Sequence, residues 1–412
     1  MKYGCIGEHL KHSFSKEIHN ALADYEYEIC EIPRDGLRAF MESCAFSAIN
    51  VTIPYKEEVI PYLYRIDDFA KTIGAVNTVV NRDGKLCGYN TDFYGMTMLI
   101  RHAGVSVNGK KVAILGTGGT SKTAYAVACA EGAREIIKVS RSGKDSAVTY
   151  DELYEGHRDT EVIINTTPSG MFPNIFDKAV DISAFPDLSG VIDAVYNPLR
   201  TPLISDARKA NIPSEGGLYM LVAQAVRASE IFLDKEYPVG TLERVFERIY
   251  LEKENIVLVG MPASGKSTVG RLLSEALGRE LIDTDDMIVE KAGMPITEIF
   301  AKFGEKHFRD LESECVKEAS ARASVIIATG GGVPLRIENT DALKQNGRIF
   351  FLDRPLEMLI PTDSRPLSSD RASLEKRYNE RYGIYCEICD VRVDASKDAD
   401  SVAKTIIEEM KK

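Results

Sequence analysis

One local pattern occurs twice in this chain and constrains its fold more than any other feature: an apolar strand, a glycine-rich turn, then a helix. The first copy is Val112-Ala113-Ile114-Leu115, then Gly116-Thr117-Gly118-Gly119, then the alanine-rich run from Lys122 to Ala133. The second is Ile256-Val257-Leu258-Val259, then Gly260 to Gly265, then Lys266 to Leu277. In each, a helix N-terminus faces the turn, and its unbonded N–H groups suit a phosphate. Two such openings predict two α/β nucleotide sites. Between them, Leu242-Glu243-Arg244-Val245-Phe246-Glu247-Arg248-Ile249-Tyr250 reads as a charged helix. It ends in Leu251-Glu252-Lys253-Glu254, and the second pattern starts at once. The expected boundary is near residue 253, with almost no linker. No repeat or low-complexity segment is evident.

Composition narrows the partners. At ~100–200 residues per domain, 412 residues predict two to four domains. The net charge of -11 argues against nucleic acid as the main partner, so phosphate binding must come from local sites. No stretch approaches the ~20 apolar residues of a membrane helix. The start, Met1-Lys2-Tyr3-Gly4, lacks a signal-peptide pattern, so the expectation is a cytoplasmic protein without membrane contact. Among eight scattered cysteines, Cys386 and Cys389 have C-x-x-C spacing, but no second pair or histidine set follows, and the run around them reads as helix. We read that pair as structural and assign no histidine a metal role.

The second half carries phosphoryl-transfer chemistry. Gly260-Met261-Pro262-Ala263-Ser264-Gly265-Lys266-Ser267 fits G-x-x-x-x-G-K-[ST]. Its backbone would wrap phosphate from Ala263 through Ser264, Gly265, Lys266 and Ser267 to Thr268. Lys266 would reach the β/γ-phosphates and the Ser267 hydroxyl would bind Mg²⁺. After Leu281-Ile282 comes Asp283-Thr284-Asp285-Asp286, acids that can hold Mg²⁺ or take a hydroxyl proton. Then follow Gly304-Glu305-Lys306-His307-Phe308-Arg309-Asp310-Leu311-Glu312, Gly330-Gly331-Gly332, Arg365-Pro366-Leu367 and Arg381-Tyr382-Gly383-Ile384-Tyr385. Any one of these arginines alone reads better as a surface ion pair, and only their joint order favours a site. In this order, D-T-D, G-E-x-x-F-R-x-x-E, G-G-G, R-P-L and R-Y-x-x-Y, the segment resembles shikimate kinase over its whole length. The resemblance implies ATP as cofactor, with Asp283 positioning Mg²⁺ through water and Asp285 binding the acceptor hydroxyl, with a role as base. It implies Arg309 and Arg381 on the shikimate carboxylate, Gly331 against the substrate, and Arg365 on a lid. One departure is local. Many members have a longer lid with a further arginine, whereas Met358 to Ser364 contains none. That bears on adenine-side contacts rather than on the reaction class.

The first half carries a hydride-transfer pattern. Gly116-Thr117-Gly118-Gly119-Thr120-Ser121 is a variant dinucleotide turn. An NAD site usually ends the next strand with an acid for the ribose 2′-OH. Here Ile136-Ile137-Lys138-Val139 runs into Ser140-Arg141-Ser142-Gly143-Lys144, two cations and no acid, which favours NADP over NAD unless the turn is simply solvated. Upstream, Asn50-Val51-Thr52-Ile53-Pro54-Tyr55-Lys56 puts a lysine just past a strand, and Gly88-Tyr89-Asn90-Thr91-Asp92 puts an acid at a strand end. Such a pair suits proton transfer to an oxygen whose carbon receives hydride; buried together, it serves structure equally well. These clusters, with His12-Ser13-Phe14-Ser15, Gly74-Ala75-Val76-Asn77-Thr78, Asn165 to Met171, Asp193 to Pro198 and Gly217 to Gln224, resemble shikimate dehydrogenase along nearly all of residues 1–250. The resemblance implies that Ser13, Ser15, Thr52, Asn77, Asp92 and Gln224 bind shikimate and that Lys56 and Asp92 are catalytic. It implies that Gly116, Thr117, Gly118, Gly119, Thr120, Arg141, Ala194 and Gly217 line the NADP(H) site. Lys16 stands where the family usually has proline.

The expected fold class is α/β. An N-terminal α/β substrate lobe (1–100, with return helices 218–252) precedes a Rossmann-like NADP domain (101–217). A P-loop kinase domain with a parallel sheet (253–412) follows. The expected activities are reduction of 3-dehydroshikimate by NADPH and phosphorylation of shikimate by ATP with Mg²⁺. The partners are small-molecule substrates; the sequence carries no sign of oligomeric state. Two rivals fit the same residues: a dehydrogenase acting on quinate, and a kinase half reduced to a non-catalytic nucleotide-binding regulator.

Overall fold

The computed structural model describes residues 1–8, 10, 14–144, 146–360 and 371–411. Contacts divide the chain into two units: Met1–Asn197 with Thr201–Tyr250, and Pro198–Arg200 with Leu251–Lys412. Among the described residues, no helix is long and apolar enough to cross a membrane.

The first unit holds two sheets. One contains β1 (Tyr3–Gly7), β2 (Tyr27–Glu31), β3 (Ala48–Val51), β4 (Arg65–Ile66), β5 (Thr78–Arg82) and β6 (Lys85–Tyr89), in the order β2-β1-β3-β5-β6-β4. It is mixed, because β5 runs antiparallel to β3 and β6. The cause is local. Arg82 pairs with Lys85 across Asp83 and Gly84, both at positive φ (53° and 80°), the conformation of a tight two-residue hairpin turn that Asp-Gly favours. Helices α1 (Ser15–Leu22), α2 (Leu37–Ser43), α3 (Asp68–Ile73) and α4 (Asp92–His102) accompany this sheet. Its core joins Ile6, Met41, Ile49, Val51, Tyr55 and Val79, all fully or nearly fully buried.

The second sheet is all parallel, in the order β11-β10-β9-β7-β8. Its strands are β7 (Lys111–Leu115), β8 (Glu135–Val139), β9 (Val162–Asn165), β10 (Gly190–Asp193) and β11 (Ser214–Glu215). Every residue of β7, β9 and β10 is buried, which is why these strands read as unbroken apolar runs rather than alternating ones. Helices α5 (Gly119–Ala130), α6 (Tyr150–Gly156) and α7 (Pro202–Lys209) connect them. The helix expected from Lys122 to Ala133 starts and stops three residues earlier. Gly118 is extended and already caps it, and Gly132 at φ 82° turns the chain out of it.

The chain then forms α8 (Leu218–Leu233), which packs on α4, α1 and β5. A Cβ on Gly95 of α4 would come 2.8 Å from Met220 O, so the glycine sets how closely α4 and α8 approach. Helix α9 (Thr241–Lys253) leads into the second unit.

That unit is built on one parallel sheet, ordered β13-β14-β12-β15-β16. Its strands are β12 (Asn255–Val259), β13 (Leu281–Asp283), β14 (Ile326–Ala328), β15 (Gly347–Asp353) and β16 (Val391–Asp394). Helices α10 (Lys266–Leu277), α11 (Thr284–Ala292), α12 (Ile296–Ser320), α13 (Ile337–Asn346), α14 (Arg371–Ile388) and α15 (Ala399–Met410) cover it. Alternation along the central strand divides the core. Val257 and Val259 pack with Phe351, Tyr385 and Ile388, whereas Ile256 and Leu258 pack with Leu273, Phe350, Val402 and Ile406. Each such side chain contributes about 1.5–3 kcal/mol on burial. Gly278, in the left-handed region, ends α10. Cys386 and Cys389 lie at the end of α14; burial, the largest cause, pushes the Cys389 thiol up.

Candidate active sites

In the first unit, Lys56 Nζ lies 2.7 Å from Asp92 Oδ2, with 24% and 13% of the two side chains exposed. The backbone explains the meeting. Lys56 follows a turn closed by Tyr55 N on Thr52 O, and its own carbonyl accepts from Val76 N. Asp92 is the first residue of α4, whose N-terminus attracts negative charge. Asn90 steadies that end, accepting from Phe93 N and donating to Ala75 O.

A buried polar network backs this pair. Tyr27 OH donates to Asn50 Oδ1 (2.7 Å), Asn50 Nδ2 to Thr78 Oγ1 (3.2 Å), and Thr78 Oγ1 to Asn77 Oδ1 (3.0 Å). Asn77 Oδ1 also accepts from Thr91 N (2.8 Å), and Thr91 Oγ1 reaches Gln224 Oε1 (3.4 Å). Asn77 and Gln224 are thus brought together through Thr91, one residue before Asp92. Thr52 opens the turn that carries Lys56, and Ser15 begins α1. Ser13 lies outside the described residues.

His19, four residues after Ser15, is fully buried. It stacks on Tyr27 at 4.0 Å, and its Nδ1 lies 2.5 Å from Tyr25 OH. Burial, slightly opposed by Asn50, pushes its imidazole down to about 3. Two features went unread in the sequence. Tyr196 sets its ring 5.3 Å from Phe14, beside Ser15, and burial pushes its hydroxyl up. Lys122 of α5 reaches Glu57, next to Lys56, at 2.6 Å. Tyr196 stood inside a quoted motif without a role, whereas nothing local marks the Lys122–Glu57 pair.

A cavity of about 670 Å³ lies beside the first glycine turn. Gly116, Thr117, Gly118 and Arg141 line it, facing Thr166 to Ser169. Gly116 has φ 109°, and a Cβ there would come 2.8 Å from Thr166 Oγ1. Gly118 and Gly119 open onto free space, and Thr120 follows in the first turn of α5. Among the described residues, the buried Ser140 hydroxyl at the strand end has no hydrogen-bond partner. An open glycine turn, an orphaned hydroxyl and Arg141 fit a phosphorylated dinucleotide. Ala194 and Gly217 are not part of this lining. They adjoin each other: a Cβ on Gly217 would fall 2.1 Å from Ala194 O.

In the second unit, the loop from Gly260 to Gly265 passes through positive φ at Gly260 (150°), Ala263 (64°) and Gly265 (96°). Among the described residues, nothing beyond its own turn lies within 4 Å of where a Gly265 Cβ would be, and the buried Ser264 hydroxyl has no partner. This cradle fits a polyphosphate. Lys266 Nζ donates to Gly260 O (3.0 Å) and Met261 O (2.9 Å) inside it. Ser267 Oγ donates to Asp283 Oδ2 at 2.7 Å, so two oxygens suited to Mg²⁺ adjoin, and Thr268 follows in α10. Asp283 Oδ1 accepts from Asp285 N, capping α11.

The triple glycine passes between these groups and the arginines. A Cβ on Gly330 would come 2.7 Å from Asp285 Oδ1 and 2.9 Å from Glu312 Oε1; one on Gly332 would come 2.1 Å from Arg309 Nη1. Arg309 bonds Glu312 Oε2 at 2.7 Å and Glu305 Oε1 at 3.3 Å. Burial pushes the Glu312 carboxyl up, against the pull of Arg309. Gly331 O accepts from Arg381 Nη1 (3.0 Å) and Tyr385 OH (2.6 Å). Asp285, Arg309, Gly331 and Arg381 therefore converge. Glu312 and Tyr385 join them; each closes a motif read in the sequence, at i+3 and i+4 of its arginine, where it was given no role of its own. Arg365 lies outside the described residues.

The first unit thus has the build of a nucleotide-dependent dehydrogenase, and the second that of a P-loop phosphotransferase. Comparison with known proteins makes both particular. Residues 5–79 match the family model "Shikimate dehydrogenase substrate binding domain", and residues 262–411 match "Shikimate kinase". Shikimate dehydrogenase (NADP(+)) of Clostridium beijerinckii is 37% identical over 266 residues, covering 60% of this chain and 97% of that protein. The crystal structure of shikimate dehydrogenase 1 from Peptoclostridium difficile is 33% identical with a TM-score of 0.56, covering 60% of this chain and 98% of that one. A chorismate mutase/shikimate 5-dehydrogenase fusion protein from Clostridium acetobutylicum is 32% identical with a TM-score of 0.57, covering 60% and 96%. The chain belongs to the shikimate dehydrogenase family and carries a shikimate kinase domain after it.

Proposed function

We propose that this chain catalyses two consecutive reactions: reduction of 3-dehydroshikimate to shikimate with NADPH, then phosphorylation of shikimate at its 3-hydroxyl with MgATP. The observation that carries the reading is the pairing of Lys56 with Asp92 at 2.7 Å, in a chain whose second unit gathers Asp285, Arg309 and Arg381 around a P-loop. The product of one site is the substrate of the other. We take residues 1–100 with 218–252 as the substrate lobe, 101–217 as the nucleotide domain and 253–412 as the kinase, and place the protein in the cytoplasm.

Bound NADPH supplies the hydride. Lys56 delivers a proton to the carbonyl oxygen as that carbon is reduced, and Asp92 holds the ammonium in place. Ser15, Thr52, Asn77 and Gln224, with Ser13, would offer hydroxyls and amides to a polyhydroxy acid. In the kinase, ATP supplies the phosphoryl group, and Ser267 and Asp283 would hold the Mg²⁺ that neutralises its charge. Lys266 and Arg365 offset charge that grows on the phosphoryl oxygens. Asp285 takes the proton of the attacking hydroxyl, while Arg309 and Arg381 hold the carboxylate. Glu312 keeps Arg309 aimed.

The test is direct. Purified chain, 3-dehydroshikimate, NADPH and MgATP are incubated, and the products are weighed by mass spectrometry. Shikimate 3-phosphate is the expected product. Accumulation of shikimate alone overturns the kinase assignment, and failure to form shikimate overturns the dehydrogenase assignment.

A further inference from the structure

Asp193 ends β10 with no exposed surface, and none of the roles above uses its carboxylate. Oδ1 accepts from Asn165 Nδ2 (2.9 Å) and Val195 N (3.0 Å), and Oδ2 accepts from Thr201 Oγ1 (2.6 Å). Among the described residues, no cation contributes to its surroundings. A buried carboxylate without a counter-charge is costly, and a neutral side chain would suffice merely to fill the space. What the carboxylate adds is the capacity to accept all three bonds at once.

Those bonds lead to the cofactor cavity. Asn165 ends the neighbouring strand β9, and its Nδ2 is fixed on Asp193. That orientation turns Asn165 Oδ1 toward Thr167, whose N (3.0 Å) and Oγ1 (2.7 Å) both donate to it. Thr167 Oγ1 in turn accepts from Ser169 N (3.2 Å). Residues 166–169 are the wall of the cavity opposite the glycine turn, and Thr166 is the residue Gly116 almost touches. A second link runs through the backbone, from Ala194 N to Asn165 O at 2.8 Å.

We propose that Asp193 is a positioning residue for the cofactor: acting through Asn165, it sets the Thr166–Ser169 wall against the glycine turn at the spacing a dinucleotide needs. The inference rests on the proposed use of that cavity by NADP(H). It carries its own signature in pH. Burial, opposed by the three bonds, raises this carboxyl to about 6. Its neighbours are Asn165 from β9, Thr201 from the cap of α7 and the Val195 N–H, none of them charged. Only the ionised form accepts from all three. Once protonated on Oδ2 it donates to Thr201 Oγ1 instead, and Oδ1 becomes the weaker, uncharged acceptor for Asn165 Nδ2 and Val195 N. Acidification through about 6 therefore loosens the wall, and KM for NADPH rises while kcat holds.

The experiment measures kcat and KM for NADPH and for 3-dehydroshikimate below and above that pH, in the wild-type full chain, Asp193→Asn and Thr167→Val. Asp193→Asn is expected to raise KM for NADPH about ten-fold, the size of one lost bond to a charged group, and to erase the acid rise. KM for 3-dehydroshikimate and the kinase rate on added shikimate should stay unchanged. Thr167→Val cuts the relay at its far end and should give a similar rise; it decides the matter if Asp193→Asn yields no folded dehydrogenase. Unchanged KM for NADPH in both variants overturns the inference, as does an acid rise that persists in Asp193→Asn. A wild-type chain that never oxidises NADPH would instead sink the functional reading.

Discussion

Lys56 and Asp92 touch each other at the mouth of a hydrogen-bonded network, and the consequence of removing either is specific. Lys56→Ala should lower kcat for NADPH oxidation by about 10²–10⁴-fold, the usual worth of a positioned proton donor, with a much smaller change in KM for NADPH. His19 makes a second residue-scale prediction. Its imidazole is held neutral by burial, at about 3, against about 6.5 in an unfolded chain. Between those values the unfolded state binds the extra proton, so stability is lost as pH falls below about 6.5. Asp193, raised to about 6, pulls the other way below that value with a similar slope, so the two nearly offset there and the net loss falls mainly above it. The temperature at which dehydrogenase activity is lost should therefore drop from neutral pH to about pH 6 and change little below it. His19→Leu should lower it at both values but flatten the dependence.

At the scale of elements, glycines decide which segments can meet. Gly217 precedes α8, and a Cβ there would overlap Ala194 O at 2.1 Å, backbone that cannot swing aside. Gly217→Ala should cost about 1–3 kcal/mol and depress dehydrogenase stability, read as a lower midpoint of thermal inactivation. Gly332→Ala meets the end of a side chain instead, Arg309 Nη1 at 2.1 Å. That side chain is confined by Glu312 and Glu305, so the expected outcome is a raised KM for shikimate with the dehydrogenase rate unchanged. Strand chemistry was readable in advance where burial on both faces forces apolar runs, as in β7 and β12. The antiparallel β5–β6 hairpin was readable in principle from Asp83-Gly84, yet those two residues carry no apolar pattern and passed unnoticed.

Across the whole molecule, each unit has its own sheets and its own core, so damage to one chemistry should spare the other. Lys266→Ala should abolish phosphorylation of added shikimate and leave NADPH oxidation within about two-fold; a coupled assay on one preparation reads both. The sequence by itself determined the α/β class and the two nucleotide-facing turns. It also determined the two families, because phosphate-binding turns and ordered motifs are local and a one-dimensional string preserves their spacing. It carried no comparable sign of the partners that join across distance: Lys122 with Glu57, Tyr196 with Phe14, and Asp193 with Asn165 and Thr201. Ala194 and Gly217, read as cofactor residues, come from separate elements and lie against each other. Such contacts join residues from separate elements, and only the packing of sheets and helices brings them within bonding distance.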